Sequence, residues 1–378
     1  MVETKDKSYW DELSKKGEIE SELNARIGNL IDEYTQVTPE TIFNLNSSSF
    51  SFCDEFHSKL NEKLDEIFAQ YPQFSSKEIK QRKTKYMDQV HDKLYKIHIK
   101  KVESEITFEA YSLLKLVKAL NEIISEAKFN SNKEGVFIEI MDPSRICLIR
   151  IKLFNESYQF FQEGSFCLNI EDLKNILFCE SNDKSFTTLE FGNEKLYITI
   201  RSQKFDSTIP RTLEHLDLQL EDIPLEMLKN IHYPFSFALN RDQFLYTMKN
   251  SGKYSEIVDI TADNTNDENT VMFSEEGQIG SGGVQWKRSK LGNFTFHKEQ
   301  LEKEFLEKML KEQKCSSCHS FTFLAWLRKL AEILQRTDLI TFSIRADHPM
   351  KVEMQFDKLG SSSLEYYLAP RAIKQSQI

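Results

Sequence analysis

Cys315, Cys318 and His319 stand in the order Cys-x-x-Cys-His, the densest group of chemistry-bearing side chains in the sequence. Two thiols one turn apart can bond both vinyl groups of a haem while the imidazole ligates its iron, and the same trio could hold zinc if a fourth ligand came from elsewhere. Haem and zinc are therefore remote readings. Haem attachment of this type needs export, yet Met1-Val2-Glu3-Thr4-Lys5-Asp6-Lys7 has no apolar run behind its charges. The sequence contains no GxxxxGK[ST], no GxGxxG opening a helix, no HExxH and no GxSxG, and its 8 histidines are scattered. Ser281-Gly282-Gly283 reads as the close of a turn. A hydrolase without a recognisable motif is the enzyme reading that stays open. The 6 cysteines (Cys53, Cys147, Cys167, Cys179, Cys315, Cys318) are expected to be reduced cytosolic thiols, most of them small core residues.

The scaffold around these residues is globular. A length of 378 residues suggests two or three domains, and 12 Gly with 8 Pro are too few for collagen-like or low-complexity chains. Core mass comes from 28 Phe and 13 Tyr, and a net charge of −10 excludes a globally basic nucleic-acid binder while allowing a local basic patch. No run of 18 apolar residues occurs, so a membrane-spanning helix is not expected.

Three textures follow one another. Residues 1–104 read as helical, with Ser75 and Glu78 placed for a capping box and Ile79, Met87, Val90, Leu94 and Ile97 tracing one stripe. Nine Lys or Arg against three acidic residues lie between Lys77 and Lys101, a solvated face or a phosphate-binding one. From residue 105 short helices alternate with β-rich runs: a helix over 111–127, strands at 136–140 and 146–154, a helix at 170–178, and strands at 186–191 and 196–201. After a polar segment over 202–230, the same order returns. A strand at 235–239 precedes a helix at 242–248, strands at 257–261, 270–273 and 284–287, a helix at 321–334, and closing strands at 340–344, 351–356 and 364–368. Leu173 precedes Ile200 by nearly the spacing that separates Leu327 from Phe356, so the chain reads as a duplication.

Basic residues recur on all four of these helices outside the core stripes: Lys115 and Lys118 on the first, Lys174 on the second, Arg241, Lys249 and Lys253 about the third, Arg328, Lys329 and Arg336 on and after the fourth. Solubility explains any one of them. Recurrence in repeated positions points to a shared electropositive surface whose partner is a phosphate backbone contacted without base readout.

Leu364-Glu365-Tyr366-Tyr367-Leu368-Ala369-Pro370-Arg371, preceded by His348-Pro349-Met350-Lys351-Val352-Glu353, closely resembles the end of the proliferating cell nuclear antigen family, the sliding clamps of archaea and eukaryotes. Phe108-Glu109-Ala110, Ile124-Ser125-Glu126-Ala127 and residues 135–148 (GVFIEIMDPSRICL) resemble its first helix and first hairpin, and Leu216-Asp217-Leu218 through Ile223-Pro224 resembles its interdomain connector. The resemblance covers about residues 105–371. It implies an α+β fold of two tandem clamp domains, 105–215 and 233–378, joined by a connector at 216–232 and forming part of a pseudo-sixfold ring, with an all-α extension at 1–104.

The function implied is a processivity factor without enzymatic activity or cofactor, homotrimeric, encircling duplex DNA in a nucleoid or nucleus. It would tether DNA polymerase, flap nuclease, ligase and clamp loader through short peptides held in a hydrophobic pocket. The nine cations above become DNA-facing residues. By position in the matching motifs the pocket comprises Met141, Arg145, Ile146, Leu148, Ile223, Pro224, Leu225, Pro349, Tyr367, Ala369 and Pro370. Arg145 stands where eukaryotic members commonly have His. The subunit contact would pair residues 212–218 with residues 283–288 of a neighbour. A checkpoint-type or heterotrimeric clamp subunit is the alternative. Residues 87–102, with 52–67 before them, are faintly similar to the helical domain of a GINS complex subunit; an amphipathic docking arm is the other reading of this region.

Overall fold

The computed structural model describes residues 19, 21–30, 33, 54–72, 74–97, 101–177, 184–218, 225–265, 270–297 and 313–371. The chain forms two compact units, Met1–Val102 and Glu103–Ile378. The first is helical: residues 21–30, α1 (Asp54–Phe68) and α2 (Ser76–Tyr95). Leu23, Ile27 and Leu30, then Phe56, Leu60, Leu64 and Phe68, then Tyr86, Val90 and Leu94 recur every three or four residues and together fill a core of their own. The capping box that starts α2 is present, with Glu78 N–H donating to Ser75 Oγ at 3.3 Å and Ser75 N–H to Glu78 Oε2 at 2.8 Å. The buried stripe of α2 is set by Tyr86 as well as Val90 and Leu94, while Ile79, Met87 and Ile97 are half-buried.

The second unit is entered along β1 (Val102–Glu109) and repeats one topology. The first half continues α3 (Ala110–Asn121), β2 (Glu126–Asn132), β3 (Gly135–Met141), β4 (Cys147–Leu153), β5 (Gln159–Phe160), β6 (Gly164–Asn169), α4 (Ile170–Ile176), β7 (Ser185–Gly192), β8 (Lys195–Ser202) and β9 (Ser207–Glu214). After α5 (Leu225–Lys229) the second half runs β10 (Phe235–Asn240), α6 (Arg241–Asn250), β11 (Ile257–Asp263), β12 (Thr270–Gly277), β13 (Gly280–Lys287), β14 (Asn293–Phe296), β15 (Lys314–Ser320), α7 (Phe321–Ala331), β16 (Leu339–Ile344), β17 (Met350–Phe356) and β18 (Ser362–Leu368).

Among the described residues the strands form three antiparallel sheets, ordered β5-β1-β7-β8-β9, β14-β10-β16-β17-β18-β4-β3-β2-β6 and β13-β12-β11-β15. Each half supplies the same two blocks. The long sheet exists because β18 of the second half pairs with β4 of the first, from Ser363↔Lys152 to Leu368↔Cys147. Cys147, Ile149, Ile151 and Leu153 alternate inward on β4, as Leu364, Tyr366 and Leu368 do on β18, so the seam is buried on its helix side. Leu113, Leu116, Val117 and Leu120 turn α3 onto the sheets; burial of each such side chain contributes about 1.5–3 kcal/mol.

Several sequence expectations shift. The helix expected over 111–127 stops at Asn121, where Ile123 and Ile124 N–H groups both donate to Leu120 O, and the apolar alternation of Ala127 and Phe129 then makes β2 a strand. The polar segment at 202–230 contains β9, which is exposed along most of its length and so lacks the apolar alternation of a covered strand. Ser281-Gly282-Gly283 lies within β13 and closes no turn. A Cβ at Gly283 would come within 2.4 Å of Phe273 O, and one at Gly282 within 2.6 Å of the Tyr254 ring. Counting from the start of each helix, the counterpart of Leu173 is Leu324, one turn before Leu327.

Candidate functional site

Four helices of the second unit stand in one row: α4 packs on α3, α3 on α7, and α7 on α6. The row brings seven of the nine candidate cations onto neighbouring helices, while Lys253 and Arg336 lie just past the ends of α6 and α7. Lys118 and Lys249 are exposed and equivalent, each the ninth residue of its helix in matching positions of the two halves. Lys115 is half-buried with Nζ 4.5 Å from the Tyr111 ring centroid. Lys253 is exposed, its Nζ donating to Asn250 Oδ1 at 3.4 Å.

The other five sit beside carboxylates: Lys174 with Glu171 at 3.7 Å, Arg241 with Asp242 at 3.7 Å, Arg328 with Glu332 at 3.8 Å, Lys329 with Glu122 at 3.1 Å, and Arg336 with Asp242 at 4.0 Å. Arg241 also donates from Nε to Ala331 O at 3.3 Å, tying α6 to the end of α7. These pairs are largely solvated and add little stability, but each lowers the positive potential that a passing anion meets.

Of the candidate pocket residues, Met141, Arg145, Ile146, Leu148, Tyr367 and Ala369 meet at one end of the β18–β4 seam. Asp142 opens the β3–β4 turn; its carboxylate accepts from Ser144 N–H at 2.9 Å, from Ile146 N–H at 2.7 Å and from Cys147 N–H. That turn holds Arg145 exposed with φ 57, a left-handed conformation uncommon for a side chain of its size, and leaves Ile146 half-buried at the lip. Met141 pairs with Leu148, Leu148 with Tyr367, and Ala369 N–H donates to Ile146 O at 2.8 Å. Pro349 is half-buried, its carbonyl accepting from Tyr233 Oη–H at 2.9 Å. Ile223 and Pro224 lie outside the described residues, and Leu225 opens α5.

Beside the apolar group runs a row of charges that the sequence reading did not anticipate. Arg150 lies 3.1 Å from Glu139 and 3.6 Å from Glu365, and Lys351 lies 3.0 Å from Glu365 and 2.8 Å from Glu353. Burial acts to lower the Lys351 pKa, but its hydrogen bonds and charge contacts with Glu353 and Glu365 outweigh that and raise it. Cross-strand spacing shows this row once the register is known; the sequence has no local signal for it.

The Cys-x-x-Cys-His group falls on β15, a strand, which corrects the haem and zinc readings. Cys315 is 2% exposed on one face while Cys318 points to the other, because residues three apart on a strand face opposite ways. His319 uses both ring nitrogens, Nε2 with Ser317 Oγ at 2.8 Å and Nδ1 with Ala369 O at 3.2 Å, and burial pushes its pKa down to about 4. Burial pushes both thiols up to about 11, unlike reactive cysteines. Among the described residues no group of three His, Cys, Asp or Glu could hold a metal ion.

A duplicated α+β unit with its helices in one row and its sheets continuous across the halves defines the sliding-clamp class of fold. A crystal structure of PCNA from Thermococcus kodakaraensis superposes with a TM-score of 0.55 at 17% identity, covering 71% of this chain and 100% of that one. Residues 103–225 match the family model for the N-terminal domain of proliferating cell nuclear antigen. A proliferating cell nuclear antigen from Dictyostelium discoideum is 24% identical over 268 residues, 70% of this chain and 96% of the relative. Together these likenesses support a member of the proliferating cell nuclear antigen, or sliding-clamp, family. No helix among the described residues is long and apolar enough to cross a membrane.

Proposed function

We propose that this protein is a replication processivity factor that closes with two further copies of itself around duplex DNA, in a nucleus or nucleoid, and tethers DNA polymerase, flap nuclease, ligase and clamp loader by short peptides. The observation that carries the ring is the pair of open sheet edges, β9 and β13. They are the duplicated counterparts of β18 and β4, which pair inside the chain. Carrying that internal register across by duplication sets Ile209 opposite Val284, Pro210 opposite Gly283, Arg211 opposite Gly282, Thr212 opposite Ser281 and Leu213 opposite Gly280 of the next copy. No like charges oppose each other across these pairs. A head-to-tail contact that repeats in this way closes into a ring, and three copies of two halves give the pseudo-sixfold arrangement. The contact differs in detail from the expected one, since residues 215–218 leave the β9 edge and turn back to β6, where Leu216 N–H donates to Cys167 O at 2.9 Å.

The helix row then lines the hole, with Lys115, Lys118, Lys174, Arg241, Lys249, Lys253, Arg328, Lys329 and Arg336 towards DNA. Carboxylate partners on five of these cations suit a surface that slides, because weak and unspecific phosphate contacts suffice once the ring is linked topologically. Met141, Arg145, Ile146, Leu148, Pro349, Tyr367, Ala369 and Pro370, with Ile223, Pro224 and Leu225, form the peptide pocket. The test is retention on DNA: loaded protein should stay with nicked circles through gel filtration and leave when the circles are cut. Equal retention on linear and circular DNA overturns the ring. Sedimentation at one copy, 44.3 kDa, with assembly only in the presence of other chains would replace the homotrimer with a mixed clamp.

A further inference from the structure

Leu216 N–H donates to Cys167 O at 2.9 Å and Arg371 N–H to Cys318 O at 2.8 Å, so the chain turns back in the same way after each half. The equivalence places Glu214 and His215 where the second half has Ala369 and Pro370, two residues of the peptide pocket proposed above. A groove of about 690 Å³ lies at this point of the first half, lined by Lys128, Phe166, Glu194, His215, Leu216 and Asp217 among others. It runs along β6, the last strand of the long sheet. Among the described residues, the outer edge of that strand is engaged by the single bridge Cys167↔Leu216, leaving Ser165 beyond it.

The wall supplied in the second half by Ile146, through the Ala369 N–H to Ile146 O bond, corresponds to Ile279 of the next copy. Ile279 is 82% exposed at the tip of the β12–β13 hairpin. The character of the site differs from its counterpart. His215 stacks on Phe166 at 5.0 Å and burial pushes its pKa down, so it presents a neutral surface, while Glu194 and Asp217 are exposed carboxylates.

We propose that this groove is a second peptide-docking site, completed at the junction between copies, that takes an extended segment carrying lysine or arginine. The β6 edge supplies backbone hydrogen bonds to such a segment, and Glu194 and Asp217 meet its cations. The role of Ile279 rests on the ring reading; the groove itself lies within one chain.

The experiment titrates the full-length protein into a fluorescein-labelled octapeptide alternating lysine and valine, with the glutamate counterpart as control, and reads anisotropy. The lysine peptide is expected to bind saturably and to lose about tenfold in affinity with Glu194→Lys and Asp217→Lys together. Tyr367→Ala should leave that binding unchanged. Equal binding of the glutamate peptide, indifference to the double reversal, or loss of binding in Tyr367→Ala each overturns the site. In a chain that assembles, Ile279→Ser should also weaken the probe, and no effect overturns the junctional part. If the chain sediments as a single copy, the ring reading and the Ile279 wall fail, while the same titration on the monomer still decides the groove.

Discussion

Asp142 holds three backbone N–H groups of the turn that presents Arg145 and Ile146, and it is 5% exposed. Asp142→Ala strands buried donors, and a cost of about 1–3 kcal/mol is expected, read as a lower urea midpoint, together with weaker binding of partner peptides. An unchanged midpoint would show that the turn is held by the strands alone. Glu103 provides a pH test. Burial raises its pKa to about 7 from the ordinary 4.5, so the folded state holds its proton more tightly than the unfolded one. The associated stability is present at low pH and falls as pH rises from about 4.5 through about 7. Thermal melts across that window should show the decline, and Glu103→Gln should flatten it; an identical slope in the variant would remove Glu103 as its source. At this scale spacing was a poor guide. Cys315, Cys318 and His319 fit a haem attachment pattern in one dimension, and only their placement on a strand separated the thiols.

At the scale of elements, α3 and α6 were readable because their apolar residues recur at helical spacing. The equivalence of Lys118 and Lys249 became visible once both helices were aligned from their preceding strands. Lys118→Ala with Lys249→Ala is expected to reduce the magnitude of the log K against log salt slope for duplex DNA by about two, one for each phosphate contact. Arg328→Ala with Lys329→Ala should change it less, since Glu332 and Glu122 already neutralise those side chains. A larger effect from the second pair would reverse the ranking. Strands at open edges were harder to recognise. β9 carries Ser207, Thr208, Pro210, Arg211 and Thr212, a polar composition that passes for a loop and suits a mostly exposed strand at a sheet edge. β2 was absorbed into the preceding helix because Ile123 and Ile124 continue the α3 pattern into a turn.

For the molecule as a whole, the inferred contact between copies can be trapped. Thr212→Cys with Ser281→Cys, placed opposite each other by the β18–β4 register, should give a covalent ladder ending in a closed trimer on non-reducing gels. Thr208→Cys with Ser281→Cys lies four residues out of register and should give little, because a disulfide needs Cα atoms within about 4.4–6.8 Å. Equal cross-linking of both pairs would refute the register. The N-terminal unit has its own core from three stretches of helix, and the sequence indicated its helicity and its capping box.

From the sequence alone came the helical first region, the duplicated order of helices and strands, the recurring cations and the closing motif that resembles the clamp family. These depend on periodicity and local residue types, which neighbouring side chains on one segment carry in full. The tertiary structure decided which strands meet across the halves, which cations stand beside carboxylates, on which faces Cys315 and Cys318 lie, and where sheet edges stay open. Those features depend on register between residues far apart in the chain, and a one-residue slip in register exchanges the two faces of a strand while leaving its sequence unchanged.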